Sequence, residues 1–143
     1  MIRPVTLAAL VATAACTVDP GPSPPDAGAC AARADYFVSD VWPRYLVANQ
    51  CNAAGCHDFN DGHGYLRLHT PEDPPPAAGT PIDAWPIGWR ENYLSTLQLV
   101  RCDQPAVSRL LTVPEGQSNL HPPGPVVRDR ATAAQVVETW VAP

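Results

Sequence analysis

The chain has 143 residues, which is enough for one domain. Its formal charge is −5, and all nine basic residues are arginine, so it lacks the basic footprint that nucleic-acid binding needs. Its 18 prolines exceed twice the roughly 5% base rate. That content points to short helices, long ordered loops and a small core that would need a staple.

Residues 1–15 are expected to be a signal peptide, with Arg3 as a minimal positive region and an apolar or small run from Val5 to Ala15. That run is too short to span a bilayer. It ends Thr13-Ala14-Ala15-Cys16, which resembles a bacterial lipobox, although Thr13 stands where a leucine-like residue is usual. Lipidation of Cys16 would anchor the chain in the bacterial envelope, on the periplasmic side or the cell surface; ordinary secretion is the alternative. Residues 16–29 then comprise Cys16 and a tether over 17–29, in which Pro20, Pro22, Pro24 and Pro25 favour extended polyproline geometry. Thirteen residues at about 3.1 Å each would hold a domain up to roughly 40 Å from the bilayer. The domain itself is expected over residues 30–143.

A helix is expected from Ala31 to Asn49, with Tyr36, Phe37, Val41, Tyr45 and Leu46 broadly on one face. Pro43 is expected to divide it, one helix ending near Val41 and a second starting at Pro43. The next stretch is Cys51-Asn52-Ala53-Ala54-Gly55-Cys56-His57. Two thiols followed directly by an imidazole is the order that c-type haem attachment requires. The thiols add across the porphyrin vinyls, and the histidine becomes the proximal iron ligand. Four residues separate the cysteines instead of the usual two. All four are small, and Gly55 can take φ > 0 just before the second thiol.

Residues 58–64 are not a calcium loop, because Gly62 stands where a ligand belongs; they read as a solvated turn. Tyr65 to Leu68 reads as a short extended piece and residues 71–89 as an irregular proline-rich loop. That loop carries Trp85 and Trp89, which have few places to bury except a porphyrin or a helix junction. Helices are expected from Glu91 to Arg101, on the spacing of Tyr93, Leu94, Leu97 and Val100, and from Ala131 to Val141, with Thr132 as a possible cap. In the latter, Ala133, Val136, Val137, Trp140 and Val141 make one apolar stripe.

The attachment stretch resembles the Cys-x4-Cys-His variant of the cytochrome c site. The longer pattern is similar to small bacterial lipoproteins with one monohaem cytochrome c-like domain. It comprises Asn92-Tyr93, Pro105-x-x-Ser108-x-Leu110, His121-Pro122-Pro123-Gly124 and Trp140-Val141. The resemblance spans nearly everything from Cys30 onward, and only the attachment motif is specific. It implies an all-α, cytochrome c-like fold holding one haem c, with Cys51 and Cys56 as attachment points and His57 as proximal ligand. It also implies electron transfer to redox partner proteins in the envelope, without enzyme activity, the membrane being touched through the lipid anchor alone.

The only methionine is Met1, so the far side of the iron would fall to a histidine or stay open. His121 lies where the family usually carries its distal ligand segment; His69 and His63 are the other candidates. A second histidine would give a lower potential than methionine. With Cys16 lipidated and Cys51 and Cys56 holding haem, Cys30 and Cys102 remain as a disulfide pair. They would close a loop of roughly 70 residues, worth about 4 kcal/mol in the chain-entropy picture. Two other readings stay open. One is a haem-free binding module with a Cys51–Cys56 disulfide or a zinc site. The other is a peroxidase-like haem protein with an open distal position.

Overall fold

The computed structural model describes residues 32–60, 62, 64–115, 126, 127 and 129–142. Its elements are helical, and no strand occurs among the described residues. The expected leader and tether, with Cys16 and Cys30, lie outside the described residues, as do His63 and His121. Among the described residues no helix is long and apolar enough to cross a membrane.

Helix α1 begins as one α-helical turn, Ala34–Tyr36, and continues as a π-helix, Phe37–Val47. The expected break at Pro43 does not occur. A proline has no N–H to give and its ring crowds the carbonyl four residues back. The helix instead runs on in a wider, five-residue register, as in Ala48 N to Pro43 O (3.2 Å) and Cys51 N to Leu46 O (2.9 Å). Phe37, Val41, Trp42, Tyr45 and Leu46 are buried along it; Tyr36 is only half-buried, beneath the Arg33 guanidinium. The chain leaves α1 through Gln50 at φ +58, an uncommon conformation for a non-glycine residue.

Helix α2 spans Ile87–Leu97, four residues earlier than the spacing of its apolar residues suggested. Pro86 explains the shift: its extended backbone forms the N-cap, and the helix starts directly behind it. Trp89 therefore belongs to the helix. The buried face is Trp89, Asn92, Tyr93, Ser95, Thr96 and Leu97, while Leu94 stays 46% exposed. That face is partly polar because it serves the neighbouring extended segment. Asn92 Oδ1 accepts from His69 N (2.7 Å) and its Nδ2 donates to His69 O (3.1 Å). Ser95 Oγ accepts from Arg67 N (2.7 Å) and donates to Tyr65 O (3.4 Å). Segment 65–69 thus uses side chains of α2 where a strand would use a neighbouring backbone, and buries Leu66 and Leu68 between these anchors.

The pattern residues further on have structural duties. Pro105–Val107 is a 3-10 turn that leads into α3, Arg109–Thr112. Ser108 between them is fully buried, with Oγ accepting from Arg101 N at 2.9 Å. Leu110 and Leu111 enter the core, and Tyr45 donates its buried hydroxyl to Leu110 O. Helix α4 spans Arg130–Val141. Its cap is Asp129 rather than Thr132: the carboxylate accepts from Thr132 N (3.1 Å) and from Thr132 Oγ1 (2.7 Å). The expected stripe of α4 is buried as a whole and packs on α1. Phe37, Tyr93 and Trp140 meet there with ring centroids 5.3–5.8 Å apart. Trp85 joins Tyr93, and Trp42 meets Trp89, so both loop-region tryptophans bury at the helix junction.

Candidate functional site

The Cys51–His57 stretch follows α1 as two consecutive tight turns, Ala53 N to Gln50 O (3.0 Å) and Cys56 N to Ala53 O (3.1 Å). Gly55 stands at φ +75 in the second turn, as expected for a turn that needs a left-handed third residue. A Cβ there would meet nothing within 4 Å, so backbone conformation alone calls for glycine. The two thiols lie in unlike surroundings. Cys51 is buried within the aromatic core, and its thiol is pushed up to about 12, first by burial and then by the neighbouring Cys56. Cys56 is exposed and His57 is half-buried. The His57 carbonyl accepts from Leu68 N at 2.7 Å, which ties the motif to segment 65–69. Gly62 closes the intervening loop through Gly62 N to Asp58 O (2.8 Å), and no side chain fits there: a Cβ would stand 2.2 Å from the Asp58 carbonyl oxygen.

Both thiols are free, so this is not the state in which Cys51 and Cys56 share a disulfide. Cys102 is disulfide-bonded. Among the described residues no three His, Cys, Asp or Glu side chains gather as a metal ion would require, so Cys51, Cys56 and His57 do not converge as a zinc triad. A c-type haem makes a different demand. Its thioether carbons lie apart on the ring edge and its iron takes the imidazole, so the donors need adjacency in sequence rather than one meeting point. Two unpaired thiols with a histidine directly after the second meet that demand.

The distal candidate His69 is committed elsewhere. Its Nε2 lies 2.5 Å from Glu91 Oε2, and its ring stacks on Phe59 with centroids 3.7 Å apart and planes 22° apart. With Asn92 gripping its main chain, His69 is fixed in one wall of a cleft of about 440 Å³. Sequence reasoning missed Glu91 and the cleft. The available signal was the Glu91-Asn92-Tyr93 run, polar residues beside a core aromatic on a helix, but its partner lies 22 residues away and no local spacing reveals it. Comparison of the chain with models of protein families, with curated proteins and with solved structures gives no match.

Proposed function

We propose that the protein is a c-type cytochrome, an electron carrier anchored to the bacterial envelope through a lipidated Cys16. The observation that carries this reading is the donor set of the Cys51–His57 stretch, two free thiols with an imidazole next to the second, on a turn shaped by Gly55. Cys51 and Cys56 would hold the haem and His57 would ligate its iron, and the group would supply the one-electron chemistry. The small core stapled by haem and by a Cys30–Cys102 disulfide belongs to the same proposal, which the bonded state of Cys102 supports. His121 is the proposed distal ligand, since His69 is occupied by Glu91.

Because Cys51 is buried with its thiol protonated, its attachment belongs to the chain before the core closes. The test is the intact mass of the full chain made with and without c-type maturation machinery. The expected result is one added haem per chain, lost in a Cys51→Ala, Cys56→Ala double variant. A chain whose mass is the same in both hosts would overturn the reading. In the haem-loaded protein, His121→Ala is expected to abolish the low-spin spectrum; a retained low-spin spectrum would remove His121 from the ligand set.

A further inference from the structure

The cleft beside His69 lies between the turn after the motif, the 69–73 segment and the first turn of α2. Its volume, about 440 Å³, falls in the usual range for sites that receive a ligand or an anchoring side chain. Its lining is mostly polar and charged, with a few apolar side chains among them. Phe59 is 44% exposed and Ile87 61% exposed, two large apolar side chains left to solvent in the lining of one cleft. Glu72 and Asp73 are exposed on the rim, and neither pairs with a cation among the described residues. Asp58, whose carboxylate accepts from Asn60 N at 2.9 Å, also lines the cleft, and among the described residues no arginine does.

The wall is built in advance. Glu91 holds the His69 ring, Asn92 holds its main chain, and the ring supports Phe59 from behind. The amino end of α2 contributes a positive partial charge of about half a unit, which the rim carboxylates outweigh. The carboxylates are spread rather than gathered, so they do not form a metal-ion site. An occupant that satisfies spaced carboxylates and an aromatic surface together is a planar cation on an apolar stem. Guanidinium forks onto carboxylates and stacks on aromatic faces, whereas ammonium does the first as a point charge and the second less well.

We propose that this cleft docks a partner protein by taking an arginine side chain from a basic segment of its surface. The inference is independent of the haem reading.

The experiment is a backbone-amide NMR titration of the full chain with the peptides acetyl-Gly-Arg-Arg-Gly-amide, its lysine counterpart and its glutamate counterpart. The arginine peptide is expected to give saturable shifts centred on Phe59, His69 and Gly88, at least threefold tighter than the lysine peptide, weakening as salt rises. A Glu72→Gln, Asp73→Asn double variant, altered only on the exposed rim, is expected to unfold at the wild-type temperature and bind about tenfold more weakly. Phe59→Ala is expected to abolish the preference for arginine over lysine. Shifts that are absent or scattered, equal binding of the glutamate peptide, or unchanged binding by the double variant would each overturn the proposal. Self-association of the chain alone that the double variant abolishes would make a second copy the occupant, and would overturn the assignment to a different partner.

Discussion

Replacing Asn92 by alanine tests how the extended segment is held. Asn92 is fully buried, and its amide makes two hydrogen bonds to the main chain of His69, at 2.7 and 3.1 Å. Alanine would leave one N–H and one C=O without partners at a half-buried position. Orphaning a fully buried group costs about 1–3 kcal/mol, and partial access to water places each of these near the lower end. Loss of the side chain's packing adds about 1 kcal/mol, for a total near 3 kcal/mol. In urea unfolding followed by tryptophan fluorescence, that total would lower the midpoint by about 1–3 M. Leu94→Ala on the same helix, at a half-exposed position, is expected to cost under about 1 kcal/mol and serves as control. The His69 amide should also exchange with solvent markedly faster in Asn92→Ala. A loss below about 1 kcal/mol with His69 still protected would refute the claim that α2 side chains stand in for a neighbouring strand.

Gly62→Ala would drive a Cβ into the Asp58 carbonyl, a backbone atom that cannot swing aside, so calorimetry is expected to show a loss of about 2 kcal/mol or more. The Asp129 carboxyl is held below its usual value by hydrogen bonds from Thr132. Its contribution is therefore present above about pH 4, the unfolded value, and is lost as pH falls through the lowered folded value. Asp129→Asn keeps the cap and removes that titration, so its melting temperature should fall less than the wild type's between pH 6 and pH 3. Cys51 runs the other way. Its folded value is about 12 while an ordinary thiol ionises near pH 9, so above that pH the unfolded chain releases the proton first and stability declines up to about pH 12. Cys51→Ala in the haem-free chain should reduce that alkaline slope. Peptide mapping after native alkylation should find Cys56 modified and Cys51 protected.

Helix α4 was readable from sequence because its buried face is wholly apolar and repeats at helical spacing. Helix α2 starts early because Pro86 caps it, and half of its buried face was not readable because it is polar: Asn92, Ser95 and Thr96 are buried through hydrogen bonds, which hydrophobic spacing does not register. The path through Pro43 was not readable, because continuity there depends on a wider helical turn rather than on residue type. At the candidate site, the left-handed Gly55 was legible in the sequence, while the two consecutive turns around it were not. The contrast between buried Cys51 and exposed Cys56 was not, since it comes from how the end of α1 meets the aromatic core. The His69–Glu91 pair arises in the same way, from two segments that only the fold brings together.

The central claim, covalent haem at Cys51 and Cys56, is tested most directly by a reduced pyridine-haemochrome spectrum. The protein would be made with c-type maturation machinery and extracted with acid–acetone. A c-type band that stays with the protein, and disappears in the double Cys51→Ala, Cys56→Ala variant, is the expected result. A colourless protein, or colour that leaves with the solvent, would contradict the account.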